Sequence, residues 1–291
     1  MGLLTGTGVA IVTPFDQQKK IDFNALKKLI DFQINGGVDY LVSLGTTGET
    51  PVLSFEEKCE VITQTLDVVN DRIPVIVGVG GNDTYKVIQE MKALPLNGVK
   101  AILSASPYYN KPSQEGIYQH YKAIAQEAPL PVILYNVPGR TSRNVNAETV
   151  LRLAHDFKNI IGIKEAANNM VQCVELLRQR PEGFAVVSGD DDLVLGQMAC
   201  GMDGVISVAA NAFPVEFSAM IRHCLNNEFD KARALNFRLA PAYTLMFEEN
   251  NPAGIKAFLS AMGYIENQLR LPLVPIQPTL EKRILEYLSK G

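Results

Sequence analysis

Ile160-Ile161-Gly162-Ile163-Lys164-Glu165 is the stretch from which the fold can be read. It is apolar without interruption up to Lys164. It lacks the polar alternation of a half-solvated strand, so it predicts a strand covered on both faces, as in a parallel sheet. Runs of the same kind recur at Val9–Thr13, Tyr40–Ser43, Pro74–Val79, Ala101–Ser104, Val132–Tyr135, Phe184–Ser188 and Gly204–Ser207. Helical spacing fills the gaps: Phe23–Asn35, Ser54–Val69, Thr84–Ala93, Gln114–Ala128, Ala147–Ala154, Met170–Gln179, Leu193–Cys200 and Val215–Asn226. Ser54 and Glu57 make a capping box, and Asn146 is placed to cap the helix that begins at Ala147. Asp190, Asp191 and Asp192 put negative charge at a helix start, where the macrodipole favours it.

Eight strand–helix units in about 225 residues predict a closed (β/α)8 TIM barrel. An open doubly wound sheet usually has fewer strands and a phosphate-binding glycine loop. Gly78, Gly80 and Gly81 approach such a loop, but Asp83 occupies the position of its last glycine. Beyond Asn226 the pattern becomes helical, at Phe229–Phe247, Pro252–Met262 and Thr279–Leu288. Leu271–Pro278, with three prolines, reads as an extended connector. The expected organisation is a barrel over residues 1–226 and a C-terminal helical region over 227–291.

The 291 residues are 47% hydrophobic and 20% charged, enough apolar content for a large core. A formal net charge of -4, without long runs of either sign, gives no footprint for nucleic acid or an anionic membrane. Cys59, Cys173, Cys200 and Cys224 form no C-x-x-C pair, and His120, His155 and His223 share no metal-ligand spacing with acids. No signal peptide or bilayer-length apolar run is read. The expectation is a soluble cytoplasmic protein with no cofactor and no metal.

In a barrel, chemistry sits at the C-terminal ends of the strands. Lys164 ends the quoted strand with its stem in a dry interior, where desolvation favours the neutral amine that can attack a carbonyl. The competing reading is a lysine that snorkels to the rim or pairs with Glu165. Tyr135 ends the preceding strand, about 4.8 Å away across a parallel sheet, so its phenol could move protons at the lysine; otherwise it is a packed core tyrosine. In Gly45-Thr46-Thr47-Gly48-Glu49 the glycines let the backbone turn tightly, and N–H groups and hydroxyls converge as a small carboxylate requires; otherwise it is an ordinary loop. Arg140 can hold a second carboxylate in bidentate fashion, or simply be solvated. Tyr108 and Tyr109 are adjacent on a loop, so one is expected to face the site and the other a subunit contact.

Taken in order, Gly45-Thr46-Thr47-Gly48-Glu49, Pro107-Tyr108-Tyr109-Asn110, Tyr135-Asn136-Val137-Pro138-Gly139-Arg140-Thr141 and Gly162-Ile163-Lys164-Glu165 resemble the dihydrodipicolinate synthase family of pyruvate-dependent class I aldolases. The resemblance covers essentially the whole chain. It implies condensation of pyruvate, held as a Schiff base on Lys164, with aspartate-4-semialdehyde in lysine and diaminopimelate biosynthesis. It further implies a proton relay of Thr47, Tyr135 and Tyr109, the last from a neighbouring subunit of a homotetramer built from dimers. Thr46 and Thr47 would hold the pyruvate carboxylate, Arg140 the carboxylate of the semialdehyde, and Gly189 and Ile206 would line the pocket.

Many members of the family are inhibited by lysine at a subunit cleft. The matching positions here are Thr50, Pro51, Phe55, Lys58, Asn82, Lys86 and Tyr108. Lys58 and Lys86 place positive charge where a cationic amino acid would bind, so weak or absent inhibition is expected. Two other readings compete with the synthase. One is an N-acetylneuraminate lyase or keto-deoxy sugar-acid aldolase of the same superfamily. The other is a non-catalytic barrel that binds a keto acid.

Overall fold

Strands buried on both faces need a cover inside and outside, and the computed structural model, which describes residues 2–290, supplies both. Eight parallel strands close in sequence order: β1 Gly6–Ala10, β2 Tyr40–Ser43, β3 Val75–Gly78, β4 Ala101–Ala105, β5 Val132–Asn136, β6 Ile160–Glu165, β7 Ala185–Ser188 and β8 Gly204–Ser207. Alternate side chains of each strand then feed two different cores. Ala10, Tyr40, Val42, Ile76, Leu103, Ile133, Tyr135, Val187 and Ile206 pack together inside the barrel. Val9, Leu41, Val75, Ile102, Leu134, Ile163 and Val205 face outward into the shell of helices.

That shell is α1 Phe23–Asn35, α2 Phe55–Val69, α3 Thr84–Ala93, α4 Gln114–Glu127, α5 Pro138–Thr141, α6 Ala147–Asp156, α7 Met170–Gln179, α8 Val194–Ala199 and α9 Pro214–Leu225. The C-terminal helices are α10 Phe229–Phe247, α11 Ala253–Ala261 and α12 Pro278–Leu288. α10 packs along α9, and α11 and α12 pack on α10. The capping box of α2 is present, with Ser54 and Glu57 each accepting from the other's backbone N–H. Among the described residues no helix is long and apolar enough to cross a membrane.

Three local expectations fail for physical reasons. The first strand runs over Gly6–Ala10 rather than Val9–Thr13. Propensity points to the β-branched run, but packing requires glycine there: a Cβ on Gly8 would lie 2.1 Å from the Tyr40 ring, which fills the barrel interior. Asn146 occupies the N-cap of α6 without capping it, because its Oδ1 accepts from Asn144 instead. The aspartate triplet does not cap α8 as a unit. Asp190 accepts from the N–H groups of Asp192 and Leu193, whereas Asp191, 3% exposed, reaches across to accept from Val208 and Ala209 after β8.

Candidate active site

The parallel register sets Tyr135 opposite Lys164 and Asn136 opposite Glu165. Because side chains alternate, the first pair enters the barrel and the second leaves it. Lys164 is 5% exposed, and its Nζ lies 4.5 Å from the centroid of the Tyr135 ring. It does not pair with its sequence neighbour. Glu165 instead accepts from Asn136 Nδ2 (2.9 Å), Gln172 Nε2 (2.9 Å) and the Ala167 N–H (2.8 Å) on the outer face. Burial pushes the Glu165 carboxyl up, and those hydrogen bonds oppose the shift. The lysine is therefore neither snorkelled nor neutralised by the adjacent carboxylate.

Gly189 makes room for that lysine. A Cβ on Gly189 would stand 2.8 Å from Ala166 Cβ and 2.9 Å from Lys164 Cε. Ile206, 1% exposed, belongs to the same interior layer as Tyr135.

The threonine loop is built from two short 3-10 turns, Thr46–Gly48 and Thr50–Val52, hinged at Glu49 in the left-handed conformation (φ 54°). As at any helix start, the first N–H groups of the leading turn, those of Thr46 and Thr47, find no carbonyl partner among the described residues. These are the donors a small carboxylate requires. Thr47 is buried, and its Oγ1 accepts from Asn251 Nδ2 at 3.0 Å. Thr13 Oγ1 donates to the Gly48 carbonyl and fixes the far side of the loop.

Thr46, Tyr135 and Arg140 line a common cavity of about 570 Å³. Arg140 projects from α5, which Pro138 initiates, and its Nη2 donates to the Asn251 carbonyl at 3.0 Å. Thr50, Pro51, Lys58, Asn82, Lys86 and Tyr108 line the same cavity, so in one chain the expected cleft positions are continuous with the site. Phe55 stands outside that wall, at the start of α2 and 42% exposed. Lys58 bonds Glu90 at 2.6 Å, whereas Lys86 is largely solvated. Tyr108 and Tyr109 do point apart, for Tyr108 is on the cavity wall while Tyr109 is 87% exposed at a positive φ of 71°.

Two groups that sequence reasoning missed lie in the C-terminal helical region. Asn251 touches both Thr47 and Arg140. Lys256 is fully buried against Glu49. Nothing local marks either one: Asn250-Asn251-Pro252 reads as a turn, and a lysine within α11 reads as a solvated face. Among the described residues no group of three or more His, Cys, Asp or Glu could hold a metal ion.

The model of the dihydrodipicolinate synthetase family matches residues 3–290. A 4-hydroxy-tetrahydrodipicolinate synthase of Parabacteroides distasonis is 50% identical over 287 residues, which are 99% of this chain and 97% of that protein. Among solved structures, the dihydrodipicolinate synthase of Thermotoga maritima superposes with a TM-score of 0.96 at 40% identity, covering 99% of this chain and 98% of that one. The enzyme of Acinetobacter baumannii, solved as a complex with pyruvate, gives 0.95 at 40% identity and 98% of each chain.

Proposed function

The chain belongs to the dihydrodipicolinate synthetase family, and from that premise we infer that it condenses pyruvate with aspartate-4-semialdehyde to give 4-hydroxy-tetrahydrodipicolinate, a lyase of lysine and diaminopimelate biosynthesis. The relatives carry this name rather than that of a sialic-acid or sugar-acid aldolase. The observation that carries the chemistry is the buried Lys164 amine over the Tyr135 ring.

In this reading the Lys164 amine attacks the keto carbon of pyruvate, and loss of water leaves an imine. The imine draws electrons from the methyl group, which loses a proton to become an enamine. The enamine carbon attacks the aldehyde, and the new alkoxide takes up a proton. The amino group of the former semialdehyde then adds to the imine carbon and displaces the Lys164 amine, which closes the ring and frees the enzyme. Each step moves a proton at Lys164 or at the substrate, and Tyr135, its ring centroid 4.5 Å from the amine, brings a phenol to it. Thr46 and Thr47 hold the pyruvate carboxylate with their free N–H groups and hydroxyls. Arg140, on the cavity wall, receives the carboxylate of the semialdehyde.

Tyr109, turned away from its own barrel, completes the relay of Thr47 and Tyr135 in a second copy of the chain. The working unit is thus at least a dimer, and a homotetramer of two such dimers in the cytoplasm is the assembly this reading favours.

Borohydride reduction in the presence of pyruvate tests the core of the reading. It should fix a pyruvate-derived mass on Lys164, and Lys164→Ala should lose both the adduct and the coupled condensation activity. An unlabelled Lys164 in an active enzyme would overturn it.

A further inference from the structure

Thr47 is a poor proton carrier unless its hydroxyl has a direction. A hydroxyl has one proton to give and two lone pairs to accept with. Here one lone pair is already occupied, because Asn251 Nδ2 donates to Thr47 Oγ1 at 3.0 Å. Among the described residues Thr47 Oγ1 has no acceptor for its own proton. The hydroxyl is held from behind by a donor, and its proton is left for a partner in the site.

The amide of Asn251 is itself deeply enclosed, at 4% exposure, and its Oδ1 is buried without a partner. An orphaned buried carbonyl oxygen carries a desolvation cost. The side chain is therefore oriented at the expense of its own second polar atom, with its donor toward Thr47. The backbone of the same residue serves the other half of the site, for the Asn251 carbonyl accepts from Arg140 Nη2 at 3.0 Å.

We propose that Asn251 is a positioning residue that polarises the Thr47 hydroxyl, fixing the direction in which the relay passes its proton, and that its side chain and backbone divide their work between the two substrates. The proposal rests on Thr47 acting in the relay.

The division of labour makes it testable with side-chain variants, since none of them removes the backbone carbonyl that holds Arg140. Asn251→Ala deletes the donor. It should lower kcat about tenfold or more, within the range a displaced acid–base group costs, while KM for the semialdehyde stays within about twofold. Asn251→Ser keeps a short donor and should recover part of kcat. Asn251→Asp has nearly the native shape but only accepts, so it takes the Thr47 proton and should fall below Asn251→Ala. A merely structural role predicts the reverse order for the aspartate, the closest match in volume.

Counting Lys164 sites by exhaustive borohydride reduction with pyruvate normalises each kcat to folded enzyme. Asn251→Asp as active as Asn251→Ala, or Asn251→Ala as active as the native enzyme, overturns the proposal. Failure of native Lys164 to trap pyruvate would instead overturn the Schiff-base reading, and this inference with it.

Discussion

Glu49 and Lys256, 207 residues apart, form an ion pair with both side chains removed from water, at 1% and 0% exposure. The pair does not stand alone. Lys256 Nζ also donates to the Gln268 carbonyl at 2.9 Å and lies 4.2 Å from the Phe15 ring centroid, and Glu49 Oε2 accepts from the Arg270 N–H at 3.1 Å. Arg270 in turn grips Glu57 at the start of α2 through two nitrogens. Desolvation drags the Lys256 ammonium down to about 8, with Glu49 pulling the other way. Through these bonds the C-terminal helical region clamps the loop that presents Thr46 and Thr47.

Removing one partner leaves the other charge buried and alone. Lys256→Met should therefore destabilise the fold by about 3–5 kcal/mol, read as a lower denaturant midpoint at unchanged m-value. Combining it with Glu49→Gln should cost less than the single change, because no orphaned carboxylate remains. A double variant as unstable as the sum of both singles would contradict the clamp.

Gly189→Ala places a methyl 2.9 Å from Lys164 Cε and 2.8 Å from Ala166 Cβ. The lysine stem must shift, and misplacement of a reacting atom by about 1 Å can cost on the order of 100-fold in rate. Pyruvate trapping should slow by at least tenfold on that scale, while circular dichroism shows a folded barrel. Native trapping rates would show that the lysine does not need this space.

Two buried groups should give opposite acid responses. Burial lowers His120 from 6.5 to about 4, so the stability owed to its neutral ring is present above pH 6.5 and lost as pH falls toward 4. Burial raises Asp191 from 3.8 to about 6, so its contribution is present below pH 3.8 and lost as pH rises through 6. Each amounts to about 3 kcal/mol across its window, and the windows overlap, so the native enzyme conceals both. Between pH 6.5 and 4, His120→Gln should gain stability relative to the native chain, and Asp191→Asn should lose it. Parallel stability–pH curves for the two variants would refute this.

Added lysine should inhibit weakly or not at all. Glu90, the acid nearest Lys58, is already bonded to it at 2.6 Å, and Lys86 adds a second, solvated cation to the same cavity. The other acid of that wall, Asp83, caps α3 and stands 3.9 Å from Lys86, so an incoming ammonium meets two cations that already engage both carboxylates. Initial rates against millimolar lysine test this, and strong inhibition would reverse it. Lys58→Ala, which frees Glu90, should raise lysine sensitivity.

Lys164 and Tyr135 were legible because each ends an uninterrupted apolar run, and position along a buried strand already says which end it occupies. The alternation that sends Lys164 inward and Glu165 outward follows from the same periodicity. Gly6-Thr7-Gly8 was illegible as a strand, since the reasons for its glycines lie more than 30 positions further on, Asp39 against Gly6 and Tyr40 packing over Gly8. Asp191 misled for a similar cause: an acid beside a helix start has a local explanation, and its true partners follow the next strand.

What the sequence determined by itself is the periodic part: eight buried strands, their helices, and the residues at the strand ends, because burial and pleat impose a repeat that can be read locally. Only the tertiary structure decided what holds the site in shape. Asn251 reaches Thr47 across 204 residues and Lys256 reaches Glu49 across 207. Such contacts arise when the chain's last quarter folds back over the barrel mouth, and a pairing between distant groups leaves no periodic trace in either segment.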